Sequence, residues 1–142
     1  MKFLSIILLS FALLLETTLT TIPLVLISLL CLMVIYRENF LFLFGFAFGL
    51  FLDLTLFKTV GLSSLFFTVF LFLVLLYQKK FEIKTASFIL IASFLGSLGF
   101  LLFMGYNNNV LSQAILSSII GLVVFYFLKN SLIKNKFLIS NF

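Results

Sequence analysis

Few side chains in this 142-residue sequence could do chemistry, and the densest set of them lies between Phe44 and Ser64, in FGFAFGLFLDLTLFKTVGLSS. Gly45, Gly49 and Asp53 recur every fourth residue, so on a helix all three fall on one face. Small residues at that spacing let two helix backbones approach closely, which makes the face a place for another element to dock. Spacing of this kind is also common in apolar helices at large, so a docking face and an ordinary helix with a boundary acid both stand as readings. Gly61 follows at a turn, with Ser63 and Ser64 behind it.

Asp53, the single aspartate, sits near the C-terminal end of its helix, where the macrodipole is already negative. Something must compensate it. One set of candidates is the free N–H groups and hydroxyls at the start of the following span, around Gly61, Ser63 and Ser64, which would make Asp53 a tie between two helices. The alternative is a solvated loop acid paired with Lys58. Elsewhere the prospects for chemistry are poor. The other acids, Glu16, Glu38 and Glu82, lie in separate segments, and the chain has no His and one Cys. No paired carboxylate, nucleophile with its base, or metal-ligand cluster can be assembled from these, so neither catalysis, a cofactor nor a metal is expected. Cys31 lies within an apolar run and reads as a small buried hydrophobe.

The elements that must position these residues are membrane spans. Hydrophobic residues make up 64% of the chain, charged residues 9%, and the mean hydropathy is +1.39. Water-soluble domains are near half apolar and about a quarter charged. Apolar runs separated only by short polar breaks predict an all-α polytopic membrane protein: a single bundle of about six transmembrane helices over residues 3–20, 22–36, 40–57, 62–77, 85–106 and 110–128, with a basic tail over 129–142. The first run has the outline of a signal peptide, but ETTLTT offers no A-x-A cleavage site and a second run begins at once, so it is read as retained. Pro23 stands where the second helix starts, and Arg37-Glu38-Asn39 stops it. The 22 phenylalanines, with abundant Ile, Lys and Asn and no Trp, look like compositional bias rather than an aromatic binding box.

Charge sets the orientation. With six spans and both termini in the cytoplasm, Lys2, Arg37, Lys79, Lys80, Lys84, Lys129, Lys134 and Lys136 lie inside and only Lys58 outside. Tyr36, Tyr77, Tyr106 and Tyr126 all fall near span ends, as an interfacial belt requires. The net charge of +5 therefore reports topology and contact with the lipid bilayer, not nucleic acid. Small or polar faces recur on the fifth span, at Ala92, Gly96 and Gly99, and on the sixth, at Gln113, Ser117 and Gly121; these pack internally or leave one face open for a partner's helix. In the tail, Leu132, Ile133 and Phe137 among three lysines would lie along the inner leaflet surface.

The pattern Gly45, Gly49, Asp53 and then Gly61, in GFAFGLFLDLTLFKTVGLSSL, resembles the G-x-x-x-G-L-x-x-D...G signature of the rod shape-determining protein MreD family. The stretch LLLETTLTTIPLVLISLL is similar to that family's first connection, with Glu16 and Pro23 in the places of its polar residue and its proline. The chain departs from the family in having Leu62-Ser63-Ser64 where a His often follows the turn glycine, and Glu where Gln is more usual at position 16. The resemblance implies a non-enzymatic scaffold of the cell-wall elongation machinery in the bacterial cytoplasmic membrane. It would bind an MreC-like bitopic partner and, through it, the cytoskeletal filament and the peptidoglycan synthase. It also implies a fold like that of the S components of energy-coupling-factor vitamin transporters, so a substrate-binding S component is the alternative. A vitamin binder needs convergent polar groups near the outer face. That side offers only Glu16, a few Thr, Asp53, Lys58 and Asn107 to Asn109. A small ion or solute carrier is a third and weaker reading, since the spans lack charges and show no inverted repeat.

Overall fold

The computed structural model describes residues 2–18, 22–36, 39–56, 59–81 and 85–140. These are all-helical: α1 (Lys2–Thr18), α2 (Leu24–Tyr36), α3 (Phe40–Thr55), α4 (Leu62–Lys80), α5 (Ala86–Phe103) and α6 (Val110–Ser140). Of these, α4, α5 and α6 are long and apolar enough to cross a membrane, whereas α1, α2 and α3 are apolar but shorter. Lys58 lies outside the described residues, as do Arg37, Glu38, Glu82 and Lys84.

Helix α2 is the axis of the bundle. Its sequence, LVLISLLCLMVIY, is apolar all round, and a helix with no polar face is stable only where every face is covered. Every residue from Val25 to Val34 is buried, and α2 touches each of the other five helices. Around it the order is α1, α3, α4, α5, α6, with the most intimate pairs being α3 with α4 and α5 with α6. Among the described residues α1 and α6 do not meet.

The helix ends lie three or more residues from the sequence expectation at three places, each for a local reason. The fifth span was expected to reach Tyr106, but α5 stops at Phe103 because Gly105 turns left-handed at φ 79°. The N–H of Tyr106 then reaches back to the Leu101 carbonyl and that of Gly105 to Leu102, the paired bonds of a Schellman motif. Helix α4 runs past Tyr77 to Lys80, its last turn carrying Lys79 and Lys80 where cations suit the negative helix end. The tail over 129–142 was expected as a separate segment, yet α6 continues without a break to Ser140. Neither Gly nor Pro follows Gly121, so nothing in the sequence ends the helix at Leu128.

Phenylalanines fill the space between α4 and α5. Phe66 stacks beside Phe70 and meets Phe100 and Phe103, while Phe67 tilts against Phe100. The Phe70 ring lies over Gly96, with its Cζ 2.6 Å from where a Cβ would stand, and Phe66 covers Gly99. Large residues on one helix thus occupy the notches left by glycines on the next.

Candidate functional site between the third and fourth helices

Helix α3 turns its Gly45, Gly49 and Asp53 face toward α4, and all three residues are buried. The approach is closest at Gly49. A Cβ there would fall on the Cα of Ser64 and only 2.7 Å from its nitrogen, so backbone meets backbone and no side chain can move aside. At Gly45 the obstacle is the tip of Leu71, 2.8 Å away, which is the end of a flexible side chain. The two glycines share a motif but not a constraint: position 49 admits no side chain, and position 45 admits a small one if Leu71 shifts.

One turn further, the Asp53 carboxylate sits over the start of α4. It accepts the Gly61 N–H at 2.9 Å and the Ser63 N–H at 3.1 and 3.3 Å, one distance to each oxygen. The first N–H groups of any helix lack intrahelical partners and carry the positive end of the dipole, so a carboxylate placed there is favoured both as acceptor and as charge. This offsets the unfavourable position of Asp53 at the end of its own helix. Gly61 makes the geometry possible through its backbone: φ is +100°, a left-handed conformation, while the space around its α-carbon is open. The hydroxyl of Ser64 donates to the Gly61 carbonyl at 3.0 Å and tightens the same turn.

The expected tie thus has a specific form. Gly45, Gly49, Asp53, Gly61, Ser63 and Ser64 come together, but the serines take part through the Ser63 backbone N–H and through the Ser64 hydroxyl inside the turn, not as hydroxyl donors to the carboxylate. Asp53 is fully buried, so it is not a solvated loop acid, and Lys58, its partner in that alternative, lies outside the described residues. The glycine face is also filled from within the chain and is not open to another protein. The same holds for the small faces of α5 and α6. Gly121 lies against Ser93 and Ile27, and Ser97 and Ser117 share a hydroxyl hydrogen bond of 2.5 Å.

A second clasp went unread in the sequence. Glu16, buried near the end of α1, accepts the Val25 N–H at 2.9 Å at the start of α2. The signal was present: Glu16 stands seven residues before Pro23, and Asp53 eight before Gly61, so each acid precedes a turn residue and a new helix by about the same interval. At the other end of α2, the Gln78 amide donates to the Met33 carbonyl at 3.3 Å and satisfies a last-turn acceptor. Gln113 was read only as part of a small polar face. Its Oε1 is buried with no hydrogen-bond partner, at the turn end of α6.

No family model, curated protein or solved structure matches this chain.

Proposed function

We propose that this chain is a non-enzymatic membrane scaffold of the MreD family. In this reading it crosses the bacterial cytoplasmic membrane six times in an S-component-like fold, with both termini in the cytoplasm, and it serves cell-wall elongation by holding an MreC-like partner. The observation that carries the reading is that the four residues of the signature form one built unit. Gly49 admits the α4 backbone, Gly45 seats Leu71, and Asp53 accepts the N–H groups of Gly61 and Ser63. A chance pattern in an apolar background has no reason to converge on one clasp. The two described acids, Glu16 and Asp53, both receive backbone N–H groups, which supports architecture over catalysis as their role. Since the glycine faces are occupied internally, the partner would be held on outward surfaces whose relative placement the clasps fix.

The experiment is replacement in a rod-shaped host whose own MreD protein has been depleted. Rounded cells should regain rod shape with the wild-type chain and not with a Gly49→Leu form that still accumulates in the membrane. Capture of an MreC-like protein from gently solubilised membranes should follow the same pattern. Cells that stay round with the wild-type chain in their membrane, or rescue by Gly49→Leu, would overturn the reading.

The orphaned Oε1 of Gln113 is the one observation that favours the substrate-binding alternative, because a buried acceptor without a donor is what a ligand would satisfy. Gln113→Leu separates the two. For a scaffold it should leave shape rescue intact and leave stability unchanged or raised by about 1 kcal/mol, as removal of an unsatisfied polar group predicts. Loss of uptake of one vitamin with shape unaffected would instead assign the chain to transport.

A further inference from the structure

Helix α6 is 31 residues long, about 46 Å at the α-helical rise, whereas a bilayer's hydrocarbon core is about 30 Å thick. Among its described side chains the last buried one is Leu128; beyond it Ile133, Phe137 and Leu138 are 60%, 67% and 51% exposed, and nothing in the described chain covers them. This segment carries Lys129, Lys134 and Lys136; the Lys129 ammonium lies over the Phe125 ring at 5.9 Å, and no acidic residue follows Glu82 anywhere in the sequence, so no carboxylate within α6 balances the three charges.

The arrangement of those residues around the helix decides what can cover them. At about 100° per residue, Lys129 and Lys136 point within about 20° of each other, while Lys134 points some 140–160° away from both. The apolar residues are interleaved with them: Ile133 and Phe137 share a sector, but Leu132 lies about 100° to one side of Ile133, beyond Lys129 and Lys136, and Leu138 about 100° to the other side of Phe137, beyond Lys134. A helix lying along a membrane surface needs one apolar and one basic face, and this segment has neither. An acidic partner helix would cover only one side and leave a lysine unpaired. A helix standing through a headgroup layer is surrounded on all sides. There each lysine reaches a phosphate and each apolar residue lies toward acyl chains or the glycerol region, whatever its sector. Lys129 to Lys136 rise about 10 Å, comparable with the roughly 5–8 Å of headgroup region on one side of a bilayer.

We propose that residues 129–138 of α6 stand through the headgroup layer and form a binding site for acidic phospholipids, with Lys129, Lys134 and Lys136 as the headgroup ligands. This replaces the expectation of a tail lying along the leaflet. It requires that α6 span the membrane and does not depend on the scaffold reading.

The test uses the absence of tryptophan from the natural sequence. Full-length protein with the single substitution Ile133→Trp is reconstituted into vesicles of phosphatidylcholine and phosphatidylglycerol, with bromine placed on one lipid or the other. Brominated phosphatidylglycerol should quench the tryptophan as if enriched about fivefold around it, the factor that one lysine contributes beside an acidic surface. The preference should vanish in the K129Q/K134Q/K136Q background and in high salt, and it should be absent for a tryptophan at Leu111, exposed at the opposite end of α6. Equal quenching by both lipids at position 133, persistence of the preference in the triple variant, or no quenching by either lipid would each overturn the proposal. The last result would place the segment in water or under a protein partner.

Discussion

Substituting Asp53 gives the sharpest test of the clasp, because two opposing effects are at stake and their difference has a sign. In favour of removing the carboxylate are its burial and its position at the negative end of α3, the latter worth about 0.3–1 kcal/mol. Against removal are two helix-initial N–H groups, of Gly61 and Ser63, that would lose their acceptor. Hydrogen bonds to a charged group contribute roughly 1.5–3 kcal/mol each, and an orphaned buried donor costs about 1–3 kcal/mol. The Ser63 bond is buried and counts in full, whereas the Gly61 bond is part-buried and recovers some solvation. Asp53→Ala is therefore expected to cost about 3–4 kcal/mol. Asp53→Asn, which keeps one acceptor oxygen but turns an NH2 toward the second donor, should cost about 1.5–3 kcal/mol. Thermal unfolding of the purified protein in mild detergent should rank wild type above Asp53→Asn and that above Asp53→Ala. Hydrogen exchange adds location: the Gly61 and Ser63 amides should exchange faster in both variants while those of α6 do not change. Wild-type stability in Asp53→Asn, or a rise in stability, would mean that the cost of burying the carboxylate exceeds the clasp energy, and the reasoning would fail.

The two glycines of the motif should behave differently. Gly49→Ala sets a methyl group against the Ser64 backbone and should cost about 2–4 kcal/mol in the same unfolding assay, whereas Gly45→Ala meets only the end of Leu71 and should cost under about 1.5 kcal/mol; equal effects would remove the close backbone approach from the account. Glu16→Gln weakens the bond to the Val25 N–H and is expected to cost about 1–2 kcal/mol; exchange at Val25 should report it. For orientation, single cysteines at Asn108 and Asn130, in a chain whose buried Cys31 has been replaced, should respectively accept and refuse an impermeant thiol reagent in intact cells. Labelling at 130 would reverse the assigned topology.

What was legible in the sequence followed from short-range physics. The number of helices came from apolar runs and polar breaks, and the α3–α4 clasp came from spacing: an acid at a helix end, a turn glycine, and a new helix with unsatisfied donors. Glu16 obeys the same logic but was masked by the threonines around it, which made the segment look like the ragged end of a span. The lysines after Leu128 predict a stop that α6 does not make. Lysine is a good helix former, and only Gly, Pro or a capping turn ends a helix firmly. The phenylalanine packing between α4 and α5 was not legible at all. It depends on which of 22 similar residues face Gly96 and Gly99, a matter of helix rotation that composition does not carry.

Glu16 and Asp53 solve one problem twice. Two consecutive helical hairpins each bury an acid near the end of the first helix and use it to cap the second, so α1 with α2 and α3 with α4 are fastened at the same kind of turn. The third hairpin has no acid to use. There α5 closes on itself through Gly105, and α6 opens from Asn109, at φ 56°, whose carbonyl takes the Gln113 N–H and the Ser112 hydroxyl. Packing of α5 against α6 rests instead on small residues, at Ser93, Ser97, Ser117 and Gly121, along the pair. A clasp is a local, directional contact that fails when one atom is removed; a small-residue seam is distributed and fails only when a side chain too large is forced in. The first two hairpins therefore owe their geometry at the turns to single carboxylates, and the third owes its geometry to shape. Damage to either acid should loosen one hairpin at its turn and leave α5 and α6 together, which is why hydrogen exchange, resolved helix by helix, is a better judge of this architecture than any global measure of unfolding.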